Sequence, residues 1–305
     1  METTRIKTGD PKGTRLSVDL PPEPLAALLL VIDGKTASGE DLNPDRVGRF
    51  RVKRFGEQLQ GEDARFYYDL AEINAGFPTN EGGTNAQSHL AVPIPFGLKG
   101  IPNVMDVMSN EEAEVVLDFS EGDLDTAFGS NAATYKLIGL VAPTVQEQYV
   151  LRVQESNLQA QGAGRVPGEF NARNLARLFL RDTGGVVDEL QISLDGDVAQ
   201  DTVDDKILQD LTNLFNSVET SGLSTRLVHE PDAMTIGRTL NDRVSYDVKF
   251  SGAGTANFTL LQTRFNNDRI QASSRRVERV QSAKQAQLAE RVSDTQAVPQ
   301  GAITA

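Results

Sequence analysis

The residues best suited by type and spacing to do chemistry are five acids, Asp195, Asp197, Asp201, Asp204 and Asp205, gathered around Gly196. Oxygen ligands at alternate positions, a glycine turn and a closing glutamate would make a calcium loop. Here Val198 and Ala199 break the alternation and no Glu closes the run, so the segment reads as a strand end, a turn and a helix N-terminus. A second candidate is His229 with Glu230 and Asp232, an imidazole beside carboxylates. Such a pair needs a third, orienting group that the sequence does not supply, and His229 reads as a strand-edge histidine. His89, the other histidine, stands before a proline-bounded strand with no acid close by in sequence. The pairs Gly82–Gly83 and Gly184–Gly185 lack the lysine and spacing of a phosphate loop and read as turns.

Composition removes further classes. The chain has no cysteine, which excludes disulfides, thiolate metal sites and a cysteine nucleophile. Two histidines leave little room for a zinc site or histidine general bases. Paired carboxylates could serve glycoside hydrolysis in so acidic a chain, but no Trp and only five Tyr are present to stack on sugars. No catalytic, cofactor-binding or metal site is therefore assigned, no cofactor is expected, and the expectation is a protein without enzymatic activity.

The net charge of −13 is unevenly spread. Residues 1–15 hold Arg5, Lys7, Lys12 and Arg15 against Glu2 and Asp10. Residues 269–292 hold Arg269, Arg275, Arg276, Arg279, Lys284 and Arg291 against Glu278 and Glu290, so the middle carries the acid. Basic ends on an acidic body suggest termini that gather on one face against something anionic; plain solvated tails are the alternative. No stretch approaches the ~20 apolar residues of a membrane span, and METTRIKTGD has no secretory apolar centre, so a protein soluble when made in the cytoplasm is expected.

The elements that must carry these residues are mostly strands. Alternating or β-branched runs occur at 15–20, 28–33, 49–55, 89–95, 114–119, 135–141 and 148–154, then at 176–181, 188–194, 225–229, 245–250 and 257–264. Loops rich in Gly, Asn, Asp, Ser and Pro separate them, which argues for sandwiches or jelly rolls. Helices are predicted over 63–73, 204–215 and 275–292; the last has an apolar stripe too thin for a core helix. The stretch 156–172 is rich in Gly, Gln and Ala and reads as a linker. The tail 293–305 reads as flexible.

An internal repeat organises the list. RFRVKRFGEQLQ (49–60) matches ELQISLDGDVAQ (189–200), each followed by a short helix. VPIPF (92–96) matches VHEP (228–231), EVVLDFSEG (114–122) matches SYDVKFSGA (245–253), and TYKLIGLV (134–141) matches NFTLLQTR (257–264). Identities are few, but the order of elements is kept, which indicates duplication of one β-domain. The expected division is a basic arm at 1–14, a first roll at 15–155, the linker at 156–172, a second roll at 173–270 and a basic C-terminal helix and tail at 271–305. About five strands are readable in the second half.

The opening RLSVDLPPEPLAALLLVIDGK (15–35), then RFRVKRFGEQL, HLAVPIPF, VVLDFSEG and ARLFLRDTGGVVDELQISLDGDV (176–198), resembles the double jelly-roll major capsid proteins of tailless, often membrane-containing, double-stranded DNA viruses. That lineage includes tectiviruses, corticoviruses and adenoviruses. The resemblance spans roughly residues 15–270 and rests on element order. It implies an all-β fold of two tandem jelly rolls with short helices and a C-terminal helix. It further implies a homotrimeric, pseudo-hexagonal capsomer in the icosahedral shell of a virion. The partners would be neighbouring capsomers, minor capsid and vertex proteins and an inner lipid membrane met by the basic termini, with no specific nucleic acid. The other readings are a carbohydrate-binding or carbohydrate-cleaving β-sandwich and a viral spike or vertex protein.

Overall fold

Strand 134–141, TYKLIGLV, alternates half-buried and buried residues without interruption, and RFRVKR at 49–54 does the same. Each turns a row of apolar side chains inward, as a period-two pattern requires. A computed structural model of the chain describes residues 2–9, 15–34, 44–75, 80–81, 88–98, 101–119, 134–171, 173–194, 197–216, 225–229 and 243–296.

The first half contains β1 (Glu2–Gly9), β2 (Arg15–Asp19), β3 (Pro24–Gly34), β4 (Arg49–Arg54), β5 (Glu57–Asp63), α1 (Ala64–Ala75), β6 (Asn80–Glu81), β7 (Ser88–Pro95), β8 (Met105–Asp106), β9 (Ala113–Asp118) and β10 (Thr134–Val141). The second contains β11 (Val150–Ala160), β12 (Gly164–Asn171), β13 (Leu175–Arg181), β14 (Val187–Leu194), β15 (Asp197–Asp204), α2 (Asp205–Asn216), β16 (Thr225–His229), β17 (Arg243–Phe250) and β18 (Gly254–Arg264). Helix α3 (Asn267–Gln296) closes the described chain.

With the two-residue strands β6 and β8 set aside, each half has eight strands. In the first, β1-β10-β3-β7 faces β5-β4-β9-β2; in the second, β11-β18-β13-β16 faces β12-β17-β14-β15. In strand order both read first-eighth-third-sixth over fifth-fourth-seventh-second, which is the jelly-roll wiring. In both, the helix follows the fifth strand directly. The repeat legible in the sequence pairs fourth with fourth, sixth with sixth, seventh with seventh and eighth with eighth strands, so its alignment coincides with the topology. The halves share one sheet: β5 runs parallel to β11 through Val153 and Gln60, giving the continuous order β16-β13-β18-β11-β5-β4-β9-β2.

Four expectations need correction. The supposed linker 156–172 is strand, the far half of β11 and all of β12. Strand β12 is an edge strand bonded only to β17, which is why Pro167 and a half-exposed GRVPGEFN can form it. The basic arm 1–14 contains β1, paired with β10 from Glu2 to Gly9. The second half has eight strands rather than five; β11, β12 and β15 were not read as its strands, the last because DVAQDTVD carries no apolar row. Finally, α3 begins at Asn267 and runs to Gln296, into the stretch read as a flexible tail; 297–305 lies outside the described residues.

Two close fits are testable. A Cβ on Gly139 in β10 would lie 2.8 Å from Leu25 and 3.0 Å from Thr4, so β1 packs against β10 over a bare glycine. Gly139→Val is expected to cost about 1–3 kcal/mol of stability through overpacking, read from the midpoint of chemical denaturation. The β4–β5 turn puts Phe55 at φ 52 and Gly56 at φ 74, the geometry of a type I′ hairpin that favours Asn-Gly. Phe55 is also 60% exposed. Phe55→Asn is expected to stabilise the chain by about 1 kcal/mol by relieving left-handed strain; a fall in melting temperature would contradict this.

Candidate functional site

Among the described residues the acidic run at 195–205 is spread over a strand and a helix start. Asp195 and Gly196 lie outside the described residues, and Asp197 and Asp201 belong to β15. Asp204 caps α2, its Oδ1 accepting the Ile207 amide at 2.8 Å. Asp205 takes the Arg226 guanidinium at 3.1 Å. Among the described residues no group of three His, Cys, Asp or Glu could hold a metal ion. His229 ends β16 opposite Leu178, while Glu230 and Asp232 lie outside the described residues. His89 stands in β7 opposite Asp33. Gly184 and Gly185 form a turn in which Asp182 accepts the Gly184 and Val187 amides at 3.2 and 2.8 Å. Gly82 and Gly83 lie outside the described residues.

What the fold does bring together are charged residues at two joints, neither legible in the sequence. The first is the seam between the rolls. Strand β13, LARLFLR, is buried along its whole length. Leu178 and Leu180 join the second roll's core, while Ala176 and Phe179 join the first roll's core. The sheet β11-β18-β13-β16 is thus covered on both faces. On the side of the first roll, Phe179 meets the Phe66 ring of α1 edge-on at 5.7 Å.

Arg181 on that same strand reaches back into the first roll. It donates to Glu62 at 3.0 Å and to Asp63 at 2.6 Å, both on β5. Glu62 is fully buried; its second oxygen accepts the Thr259 hydroxyl of β18 at 3.1 Å, and the Asp63 amide adds a further donor. Burial, then the nearby Glu155 carboxylate, push the Glu62 carboxyl up to about 7 against the pull of the Asp63 amide and Arg181. Glu155 itself takes Arg49 at 2.8 Å and Asn257 at 2.6 Å. At the helix end of the seam, Asp69 of α1 is fully buried between Arg65 and the Thr225 hydroxyl of β16, each at 2.7 Å. A raised carboxyl often marks a catalytic acid. Glu62, however, is fully buried at the seam, and its partners on β5, β13 and β18 of the shared sheet make it a join between the rolls.

The second joint is the base of α3. Three arginines, Arg54 of β4 and Arg269 and Arg276 of the helix, meet Asp106, Glu111 and Glu147. Arg54 makes a two-pronged contact with Glu147 at 3.0 and 3.2 Å. Arg276 donates to Asp106 at 2.7 Å and to the carbonyls of Pro143 and Val145 at 2.7 and 2.9 Å. Arg269 pairs with Glu111, and buried Ser273 accepts the Glu147 amide at 2.7 Å. Burial holds the Glu147 carboxyl above its ordinary value, with Arg54 pulling the other way. Burial likewise lowers Arg269 to about 10. Beyond this base the helix stands clear: Gln281 to Ala289 are all exposed.

Two jelly rolls of the same wiring joined through one sheet make a double jelly roll. The major capsid protein of STIV, the Sulfolobus Turreted Icosahedral Virus, superposes with TM-score 0.61 at 12% identity, covering 86% of this chain and 96% of that one. The major capsid protein of bacteriophage PM2 gives 0.59 at 14% identity, covering 87% and 98%. The PBCV-1 virus capsid gives 0.58 at 10% identity, covering 86% and 92%. A scan against protein-family models finds no match, and a search of curated proteins finds none either.

Proposed function

We propose that this chain is a major capsid protein, a structural rather than a catalytic molecule, that builds an icosahedral virus shell. The observation that carries the reading is the near end-to-end coverage of both chains in superpositions on capsid proteins of an archaeal virus, a phage and PBCV-1. Two rolls of identical wiring give each subunit two similar edges, so three subunits close into a ring of six similar domains that can tile a shell. The rolls are taken as 2–141 and 150–264, on the sheet wiring. Light scattering on purified protein is expected to give the mass of three chains, with hexagonal outlines in electron micrographs. A species that stays monomeric at high concentration and high salt would remove the reading.

We assign α3 the role of facing an anionic lipid layer inside the shell. Its exposed stretch carries Arg275, Arg279 and Lys284 against Glu278, with Leu288 61% exposed. No helix of the described residues is long and apolar enough to cross a membrane, so contact would be interfacial. Many copies in a shell would add up a weak single contact. The charges can be removed without touching the docked base: Arg275→Gln, Arg279→Gln and Lys284→Gln together are expected to abolish flotation of assembled particles with anionic vesicles while leaving the melting temperature unchanged. Undiminished flotation would refute the assignment.

A further inference from the structure

At one end of the second roll, on the face of β11 and β18 that carries its core residues Leu158 and Leu260 further along, an open cleft of about 650 Å³ is lined by Arg152, Arg173, Arg264, Gln154, Gln262 and Asn174, among others, and by no acidic residue. Three guanidinium groups gathered with no acid in the lining are unexpected in a chain of net charge −13. The register explains two of them. Arg152 stands opposite Gln262, and Arg264 two residues on stands opposite Val150, so the two arginines share the sheet face turned away from Leu151 and Leu261. The third comes from the turn between β12 and β13. There Asn174 takes a left-handed backbone, φ 57, and its carbonyl accepts the Thr263 amide at 3.0 Å, which folds the turn over the end of β18. The Gln262 amide ties down the Arg173 carbonyl at 3.1 Å.

The charge is under-answered. Arg152 and Arg264 contact one carboxylate between them, Glu57, with Arg264 at 3.2 Å. The Arg173 side chain has no ion pair among the described residues. The Arg152 Nε is buried without a hydrogen-bond partner. Burial, then the like charge of Arg264, push the Arg152 guanidinium below its ordinary value.

We propose that this cleft binds a phosphate-type oxyanion, gripped by Arg152, Arg173 and Arg264. Forked guanidinium donors match the oxygens of a phosphate two at a time, and neutral amides at the rim add donors without competing charge. Glu57 is then a competitor, holding the two strand arginines while the anion is away.

Isothermal titration of the full chain with inorganic phosphate, at constant ionic strength set by chloride, tests this. Saturable binding of one phosphate per chain is expected. Arg173→Gln, which breaks no ion pair among the described residues, is expected to weaken it by tenfold or more. Glu57→Gln is expected to tighten it severalfold, an opposite sign that a merely structural role would not give. A parallel titration with glycerophosphoglycerol separates sources: binding comparable to phosphate assigns the headgroup of an anionic lipid, and binding of phosphate alone assigns the free ion. Heats that do not saturate, or Arg173→Gln and Glu57→Gln proteins that titrate like the original, would overturn the proposal.

Discussion

Arg181→Met is expected to destabilise the protein by roughly 3 kcal/mol at pH 8 and by only about 1 kcal/mol at pH 5. Adding Glu62→Gln is expected to recover most of the loss at pH 8. The reasoning starts from burial. Glu62 is sealed at the seam, and Arg181 is the cation that answers it. Removing one partner of a buried pair leaves the other uncompensated. Here the loss stays at the low end of that range because Glu62 can escape by taking up a proton. The pH dependence follows from linkage. The folded carboxyl titrates near 7, above the 4.5 of the unfolded chain. Between those values the folded state holds a proton that the unfolded state has released, so stability is full below 4.5 and falls as pH rises through 7. A shift of that size corresponds to roughly 3 kcal/mol. Glu62→Gln alone should therefore raise the melting temperature by several degrees at pH 8 and change little at pH 5. Thermal melts of the single and double variants at both pH values decide it. An equal cost for Arg181→Met at pH 5 and 8 would show that the seam does not depend on the Glu62 charge.

This dependence bears on the proposed role. The rolls are held by one parallel strand contact, an apolar face and this ion cluster. A shell subunit must keep its two rolls in fixed relation, because each edge meets a different neighbour. The seam is firmest in mild acid, so particle integrity should be greater at pH 5.5 than at pH 8. That comparison is a consequence of Glu62 and not of surface charge, and Glu62→Gln particles should lose it.

The same seam marks where the sequence was readable and where it was not. Strands β3, β10 and β18 show in the sequence because their inward rows are Leu, Ile, Val and Phe. Strand β5 does not, since its buried residues include Gln60 and Glu62. Its buried polar groups depend on partners from other elements: Gln60 on the Pro95 carbonyl and the Tyr67 hydroxyl, Glu62 on Arg181, 119 residues away. A charge in a short segment reads as solvent-facing by default, and no local pattern reveals a partner in the other half of the chain. One clue was present. In LARLFLR, Arg177 and Arg181 stand four apart, both on the side of Phe179, in a strand whose other residues are apolar. Arginines in a strand that is apolar on both sides announce a second packing surface. The edge strands β1, β12 and β15 were lost for another reason: an edge needs only one bonded neighbour and half a row of apolar contacts, so its composition drifts toward that of a loop. The acids of 197–205 offer ligand-like spacing, yet the interruption by Val198 and Ala199 and the missing closing Glu already point to the strand and helix cap that they form.

At the base of α3 the expected result is largest for Glu147→Leu, a loss of about 3–5 kcal/mol. Glu147 is 1% exposed and answers Arg54, whose side chain is 6% exposed. It also accepts the Asp106 amide at 2.9 Å and lies 3.5 Å from Arg269. A leucine would strand a buried guanidinium and a buried amide at once. Arg276→Lys, which keeps a cation beside buried Asp106 but gives up the carbonyl bonds, is the informative contrast. Arg276 is partly exposed, and its acceptors are Asp106 of β8 and the Pro143 and Val145 carbonyls in the loop after β10. Its loss should free the helix locally: amide exchange in residues 270–289 should quicken by tenfold or more while the global unfolding midpoint moves little. Glu147→Leu should lower that midpoint for every probe together. If the two variants gave the same pattern, α3 and the rolls would unfold as one unit, and the helix could not serve as a separately hinged contact to whatever lies beneath the shell.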